Sequence, residues 1–282
     1  MVRTTSHTWV GSGDGRCNED AVCMDEQARC VVLVDGATGL TKAHVTQEPS
    51  DAAWYAGKLA RGTARYIGQG MDTRQALGRA GRDVAREFYA LPGTDGLERI
   101  DLPNCSVAAL RWDDEVLEVC MLGDCYAVVD LAEGPCLVHD DTLDKLDDLN
   151  YERMYAYATE RGVSMRQARR DLNPRFVENR LKMNQPGGYW AADVTCAGFG
   201  HETVRTFEMA GVRSAFVCSD GFAAAVAMGV CGSVEALAQD VAAGNGIRVG
   251  ELLREAEGED ADCLRVHRSK TSDDATYACV LF

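Results

Sequence analysis

Seven runs of apolar or alternating residues along the chain are typical of β-strands. They span residues 30–36, 105–112, 116–122, 125–132, 203–209, 215–221 and 275–282. Within residues 107–131, three such runs follow one another with connections too short to hold a crossover helix, so neighbouring strands should be antiparallel. We therefore predict a three-stranded meander over residues 107–131.

Stretches of helical periodicity stand between these groups of strands. Ser50 can cap a helix over residues 51–67, where apolar residues recur near helical spacing, and a second helix is predicted over residues 72–89. Further helices are predicted near residues 151–160, 164–172, 234–243 and 248–256. Blocks of antiparallel strands that alternate with blocks of helix favour an α+β fold over a doubly wound parallel sheet.

Residues 139–190 differ in character from the rest of the chain. This segment is highly charged, mostly helical in pattern and poor in strand-like runs. A flap or lid inserted over a functional site and a solvated helical excursion both fit this pattern. We expect a single domain over residues 1–282 that carries this segment as an insert.

The charge of the chain narrows the classes of partner. Lys and Arg total 29 against 44 Asp and Glu in 282 residues, which gives a formal net charge of -15. Such a chain repels nucleic acid and anionic membranes and attracts divalent cations, so we expect neither nucleic acid nor membrane as a partner. Because no apolar leader or run of about 18 apolar residues occurs, we expect a soluble, cytoplasmic protein.

The twelve cysteines do not form a zinc or disulfide pattern. No C-x-x-C occurs, and several cysteines, including Cys30, Cys218 and Cys279, lie inside apolar strand-like runs. A reduced cysteine in such a run behaves as a small core residue. We therefore predict reduced thiols in the core. None of the five histidines has a second histidine or a cysteine at the spacing of metal ligands.

Acidic residues stand beside predicted buried elements at five separate places. They are Glu19 and Asp20 in CNED, Asp35 at the end of VVLVDG, Asp124 in LGD, Asp220 in VCSDG, and Asp273 with Asp274 before the last strand. Each alone is typical of a turn or a helix cap. If the strands bring these residues to one edge of stacked sheets, the carboxylates cannot all remain ionised without a cation.

The donor atoms of this acidic set indicate which cation would suit it. Carboxylate and carbonyl oxygens without histidine or cysteine suit hard ions, so Mg²⁺ or Mn²⁺ is expected before Zn²⁺. Gly36 and Gly221, which follow two of the aspartates, would let the backbone approach an ion closely.

Six segments occur in an order and spacing that resembles a known family. They are NED, VVLVDGATG, CSVAAL, LGDCYAVV, FVCSDG and DDATYACVLF. In this order and strand context they resemble the type 2C family of metal-dependent serine/threonine protein phosphatases, in its bacterial form. The resemblance extends from about residue 11 to residue 282. It implies a four-layer α-β-β-α sandwich of two antiparallel sheets flanked by helices.

The resemblance also implies roles for individual residues. Asp35 would bridge two Mn²⁺ or Mg²⁺ ions, and Gly36 would offer its carbonyl oxygen to one of them. The other implied ligands are Asp20, Asp220 and Asp273, and a third ion would lie near Asp124. Arg16 would grip the substrate phosphate and, with Asp35, would be catalytic. A water molecule bridging the ions would attack phosphoserine or phosphothreonine in a protein that a serine/threonine kinase has phosphorylated.

Two departures from the family pattern keep an alternative open. Eukaryotic relatives commonly carry a histidine after the first Asp-Gly, where this chain has Ala37, and Arg16 lies one residue closer to the acidic pair than is usual. The alternative is a weak or inactive family member that binds phosphoproteins or regulates other proteins. A metal-dependent nuclease is a third possibility, but the acidic chain lacks the basic track that a polyanion requires.

Overall fold

The computed structural model describes residues 2–12, 17–37, 39–41 and 43–282. Its strands, in chain order, are β1 (Arg3–Trp9), β2 (Ala21–Asp25), β3 (Cys30–Ala37), β4 (Asn104–Trp112), β5 (Val116–Leu122), β6 (Tyr126–Leu131), β7 (Gly134–Val138), β8 (Ala192–Asp193), β9 (Thr203–Glu208), β10 (Val212–Cys218) and β11 (Ala275–Leu281). Its α-helices are α1 (Asp51–Gly68), α2 (Thr73–Tyr89), α3 (Thr142–Arg161), α4 (Met165–Asp171), α5 (Asn173–Arg180), α6 (Asp220–Ala227), α7 (Val234–Ala242) and α8 (Gly246–Glu259).

The strands form two sheets in which every paired neighbour is antiparallel. Sheet I has the order β1-β11-β10-β6-β7. Sheet II has the order β2-β3-β4-β5-β9, and the short β8 pairs with the first two residues of β4. The predicted α+β class with antiparallel sheets is confirmed.

The two sheets pack face to face and helices cover both outer faces. Leu33 and Leu110 of sheet II meet Val129 and Val217 of sheet I in a fully buried central core. Helices α1 and α2 pack on the outer face of sheet II, and α6, α7 and α8 pack on the outer face of sheet I. The order of layers is therefore α-β-β-α, as the family resemblance implied.

Strand β3 shows why a continuous apolar run precedes Asp35. Residues 30–34 are all fully buried, with Val31 and Leu33 in the core between the sheets and Val32 and Val34 against α1 and α2. A strand covered on both faces has no polar face to alternate with. Each buried side chain of this size contributes about 1.5–3 kcal/mol to stability.

The two long helices agree with the sequence, whereas several other elements do not. Ser50 caps α1 by accepting hydrogen bonds from the backbone N–H groups of Ala52 and Ala53, as predicted. The helix predicted at 151–160 is longer and begins at Thr142. Helices α5 and α6 and strands β1, β2, β7 and β8 were not predicted. The predicted strand 215–221 was wrong at its end, because β10 stops at Cys218 and α6 begins at Asp220.

The predicted meander over residues 107–131 is wrong at its second connection. Strands β4 and β5 pair as predicted, but β5 pairs next with β9, while β6 pairs with β10 and β7 in the other sheet. The chain crosses between the sheets through Gly123, whose φ of +89° is a left-handed conformation that favours glycine. A short loop indicates antiparallel neighbours, but it does not tell a hairpin from a corner between stacked sheets.

Helices α3, α4 and α5 lie between β7 and β8, within the segment predicted as an insert. They pack on one another around Met154, Ala158, Met165 and Ala168, and Cys263, from the loop after α8, joins this cluster. The segment therefore has a small apolar core of its own and is held against the loop that leads to β11.

All twelve cysteines are free thiols, of which seven are buried and five are half-buried, so the core placement that was predicted holds for seven. Cys30, Cys218 and Cys279 are fully buried in strands. Burial raises the pKa of the Cys30 and Cys279 thiols to about 12, so these groups stay protonated and behave as apolar side chains. Among the described residues, no helix has the length and apolar character needed to cross a bilayer.

Candidate metal centre and active site

A cavity of about 500 Å³ opens at the edge where the two sheets meet. Asp35 from sheet II and Asp220 and Asp273 from the ends of sheet I strands all line it. Glu19, Gly36 and Asp124 also line this cavity. Five of the acidic residues predicted to converge therefore do face one space, although they come from distant parts of the chain, whereas Asp20 and Asp274 do not line it.

Asp35 occupies the middle of the cavity floor, where the two sheets approach each other. It lies on β3 opposite Ser106 of β4, and its Oδ2 accepts the backbone N–H of Asp220 at a nitrogen-to-oxygen distance of 3.4 Å. Its side chain reaches the cavity but is enclosed by protein elsewhere. Burial raises the pKa of Asp35 well above its usual range, and the charges of Asp20 and Asp220 raise it further.

Asp220 is placed by the start of α6. Ser219 precedes the helix and is held by a backbone hydrogen bond to the carbonyl of Thr276 at 3.0 Å, which leaves Asp220 in the first turn. Burial raises the pKa of Asp220 well above its usual range, and the charges of Asp124 and Asp273 add to this effect. In the absence of a cation, an ionised Asp220 is thus repelled by the carboxylates of Asp124 and Asp273.

Asp20 lies beneath the floor. Both of its carboxylate oxygens are buried and have no hydrogen-bond partner. Burial raises the pKa of Asp20 to about 7; the hydroxyls of Thr276 and Ser219 lie near enough to moderate the shift, but neither reaches hydrogen-bond geometry. Buried carboxylate oxygens without donors are costly, and a bound cation would satisfy them.

The two adjacent aspartates before β11 have different surroundings. Asp273 faces the cavity and accepts hydrogen bonds from the Lys270 ammonium and from the backbone N–H of Asp274. Asp274 is buried and accepts the backbone N–H groups of Gly11 at 2.6 Å and Glu19 at 2.8 Å. Asp274 therefore holds the backbone beside the site, while Asp273 is available to the cavity.

Backbone segments approach one another closely around the floor. A Cβ at Gly36 would lie 2.4 Å from the carbonyl oxygen of Glu19, and a Cβ at Gly221 would lie 1.9 Å from the carbonyl oxygen of Asp274. Neither position can hold a larger residue without a shift of the backbone. Glu19 in turn accepts a hydrogen bond from the Ser50 hydroxyl, which links the floor to the start of α1.

Asp124 lies at the corner where the chain passes from β5 to β6. Its backbone N–H donates to the Ser106 hydroxyl at 3.2 Å, and its side chain is buried against the cavity. Burial raises the pKa of Asp124, the Ser106 hydroxyl offsets part of the rise, and Asp144 adds to it. The corner between β5 and β6, where a hairpin was predicted, thus places the Asp124 carboxylate at the site.

Comparison with known proteins finds relatives by structure alone. No family model and no curated protein matches the sequence. The serine/threonine phosphatase PstP/Ppp of Mycobacterium tuberculosis superposes with a TM-score of 0.59 at 15% identity, over 100% of this chain and 98% of the phosphatase. The catalytic domain of PstP in complex with two manganese ions gives 0.56 at 16% identity, over 99% of this chain and 97% of that one.

The serine/threonine phosphatase Stp1 of Staphylococcus aureus gives a TM-score of 0.55 at 12% identity, over 100% of this chain and 95% of Stp1. The chain has the type 2C phosphatase fold. The resemblance inferred from six short motifs is confirmed at the level of the fold. Because identity is this low, the roles of individual residues depend on the geometry of this chain.

The phosphatase-fold site has a donor set that fits hard divalent ions. Its candidate ligands are carboxylate and carbonyl oxygens, and the orphaned oxygens of Asp20 lack any other partner. Within the described ranges, however, no three acidic, histidine or cysteine side chains are already closed around one ion position. Ion binding would therefore require side-chain movement, including release of Asp273 from Lys270.

Two further sequence-based expectations concern Arg16 and Ala37. Arg16, the predicted phosphate-binding arginine, lies outside the described residues. Ala37 lines the cavity at the end of β3 and brings no ionisable group to it. Protonation of a leaving group would therefore fall to water or to another residue of the phosphatase-fold cavity.

Helices of the insert form the roof of the cavity; the sequence left open whether this segment covers a site, and none of the roof residues was identified from it. Asp147, Asn150 and Arg169 line the cavity, together with Arg180 at the end of α5. Burial raises the pKa of Asp147 to about 7, with a further contribution from Asp124. One signal was present: Asn150 shares a helix face with Met154 and Ala158, four and eight residues on, and a polar residue on a buried face commonly has a specific role.

In the absence of metal ions, Asp20 should make stability depend on pH. Because its pKa rises from 3.8 to about 7 on folding, ionisation at higher pH penalises the folded state. The stability of Asp20→Asn relative to wild type should therefore increase between about pH 4 and 7, by up to roughly 4 kcal/mol, and then level off. Urea unfolding in chelator at several pH values measures this difference. A difference that does not change with pH contradicts the prediction.

Proposed function

We propose that this protein is a Mn²⁺- or Mg²⁺-dependent phosphatase that hydrolyses phosphoserine and phosphothreonine in proteins. The observation that carries the proposal is the convergence of Asp35, Asp220 and Asp273 on one cavity above the orphaned carboxylate of Asp20. Such a group is repulsive without cations, yet the fold keeps it together. A fold shared with bacterial serine/threonine phosphatases supports the same activity.

Asp35, Gly36, Asp220 and Asp273 line the cavity and would hold the ions, Gly36 through its carbonyl oxygen and Asp35 as a ligand to both. Asp20, whose carboxylate oxygens have no hydrogen-bond partner, would be a further ligand. Bound ions would supply Lewis acidity and a water molecule of lowered pKa. The PstP catalytic domain in complex with two manganese ions supports two positions. Asp124, at the sheet corner, is the candidate for a third.

The proposal also covers the domain organisation and the class of substrate. Residues 1–282 would act as one phosphatase-like domain, with the segment 139–190 as a flap, because helices of this segment form part of the cavity wall. A phosphorylated protein, produced by a serine/threonine kinase, would present its phosphoryl group to the floor. The proposal includes no nucleic acid, because the cavity floor and the chain as a whole are acidic.

A phosphoprotein-binding or regulatory module is the second candidate. Ala37 favours it, because no histidine stands there to protonate a leaving group. The position of Arg16, one residue closer to the acidic pair than is usual in the family, favours it as well. This candidate requires metal or phosphoprotein binding without turnover.

Turnover assays separate the two candidates. Purified protein would be incubated with p-nitrophenyl phosphate and with a phosphothreonine peptide, in Mn²⁺, in Mg²⁺ and in chelator. We expect hydrolysis in at least one metal to exceed the chelator rate by at least about 100-fold, because the ions stabilise charge that develops in the transition state. Metal binding without any metal-dependent hydrolysis would contradict the enzyme and favour the regulatory module.

A further inference from the structure

Two arginines of the insert line the same cavity as the acidic floor. They are Arg169 of α4 and Arg180 of α5. The Arg169 guanidinium stacks on Phe176, with its central carbon 3.6 Å from the ring centre, and one of its nitrogens donates to Asn173 at 3.0 Å. These contacts hold the guanidinium plane in place and leave other N–H groups for the cavity.

The charge of the floor shows what these arginines could do. Glu19, Asp35, Asp124, Asp220 and Asp273 line the cavity, and Asp20 lies beneath it. Two divalent ions would neutralise four of these six carboxylates, and the Lys270 ammonium one more, so the floor would still not attract a phosphate dianion strongly. The two cations of the insert would supply the missing attraction, and their effect is larger in a partly enclosed cavity than in water.

Desolvation makes Arg169 receptive to an anion. Burial lowers the pKa of Arg169, and the neighbouring Tyr151 and Asp147 offset part of this effect. A desolvated guanidinium gains more from an added oxyanion than one in bulk water. Its fork of N–H donors matches two oxygens of a phosphate group.

Asn150 adds a neutral donor to the same wall. It is only 3% exposed and it lines the cavity, and its Nδ2 lies near the Asp147 carboxylate without reaching hydrogen-bond geometry to it or to another described residue. A buried amide without a partner is costly unless a ligand completes its hydrogen bonds. The unsatisfied donor and the two cations therefore indicate the same kind of ligand, an oxyanion.

We propose that Arg169, Arg180 and Asn150 form an oxyanion clamp that holds the substrate phosphoryl group against the floor of the cavity. This inference rests on the proposed phosphatase function and extends it, because it assigns phosphate binding to the insert. The clamp would favour monoesters, which carry two negative charges, over diesters, which carry one. It would act together with the bound ions and would not replace them.

Paired variants in the same helices test the clamp. Arg169→Gln and Arg180→Gln remove the two cations, and Arg170→Gln and Arg175→Gln are matched controls, because both control residues are exposed and lie outside the cavity. Affinity for inorganic phosphate would be measured by calorimetry on the Mn²⁺-loaded protein, and KM would be measured with p-nitrophenyl phosphate. Thermal unfolding would establish that each variant is folded.

The clamp predicts a clear pattern. Each clamp variant should bind phosphate about 10- to 100-fold more weakly, as expected for loss of a charged hydrogen bond, and KM should rise by a similar factor. The controls should stay within about 2-fold of wild type. If Arg169→Gln does not fold because its contacts with Asn173 and Phe176 are lost, Arg180→Gln decides the result.

The contrary outcomes are distinct from failure of the proposed function. Unchanged phosphate affinity in a folded clamp variant would overturn the clamp and leave the arginines as counter-charges for Asp147. A rise in KM for a phosphopeptide but not for p-nitrophenyl phosphate would also overturn it, because the wall would then bind peptide. Phosphate binding that depends on Arg169, in a wild-type protein without turnover, would support the clamp and refute the phosphatase activity.

Discussion

Asp35→Asn is expected to lower Mn²⁺-dependent hydrolysis of p-nitrophenyl phosphate by at least about 10³-fold, the scale of losses when a central catalytic carboxylate is removed. Asparagine has the same shape and can still accept the backbone N–H of Asp220, so the local fold should be retained. What is lost is the negative charge that would lie between two ions. Steady-state rates and Mn²⁺ affinity by calorimetry measure the effect.

The same substitution should make the metal-free protein more stable. Asp35 is buried among Asp20, Asp220 and Asp124, whose charges raise its pKa, so a neutral side chain relieves repulsion in the folded state. Thermal unfolding in chelator should show a higher Tm for the variant, and added Mn²⁺ should stabilise it less than wild type. Asp114→Asn is the control, since Asp114 is exposed and pairs with Arg29 at the surface. Full activity in Asp35→Asn would refute the proposed role of Asp35.

Gly221→Ala is expected to destabilise the protein by about 3 kcal/mol or more, because overpacking against backbone cannot be relieved by a side-chain rotation. The added Cβ would lie 1.9 Å from the carbonyl oxygen of Asp274 and 3.1 Å from the Cβ of Asp273. Relief of this clash must move the start of α6 away from β11, which separates Asp220 from Asp273. Metal affinity and hydrolysis should therefore fall together with stability.

Urea unfolding with and without Mn²⁺ measures this effect. Gly258→Ala is the matched control: Gly258 lies within α8, and nothing lies within 4 Å of the position of its Cβ. Alanine there should raise stability by up to about 1 kcal/mol, since it improves helix propensity without a clash. A Gly221→Ala protein as stable as wild type, with normal metal affinity, would show that this close approach of backbone is not required.

The local pattern of the sequence was sufficient for the elements that bury continuous apolar surface. Strand β3 and helices α1 and α2 appear within about two residues of their predicted bounds, because burial on a strand and on a helix face leaves different periodicities. Nearby residues also determine where such elements end: the Ser50 side chain, for example, caps the start of α1. Strand β1 is polar along most of its length and β2 has only five residues, so neither shows a long apolar or alternating run, and both were missed.

The candidate floor was predictable in part because its residues follow recognisable segments. Asp35, Asp220 and Asp273 were identified from order and context, and all three line the cavity. The roof was not predictable in this way, because a charged helical segment looks the same in sequence whether it faces water or a cavity.

The sequence by itself determined the α+β class, the long helices and the set of acidic residues, because all of these depend on contacts close in the chain. Only the tertiary structure decided that β6 leaves the sheet of β5, that Asp274 binds backbone while Asp273 faces the cavity, and that Arg169 lines the same cavity as Asp35. The physical reason is that these outcomes depend on which distant segments pack together. Two adjacent aspartates such as Asp273 and Asp274 look alike in the sequence, so local pattern does not tell which of them faces the cavity.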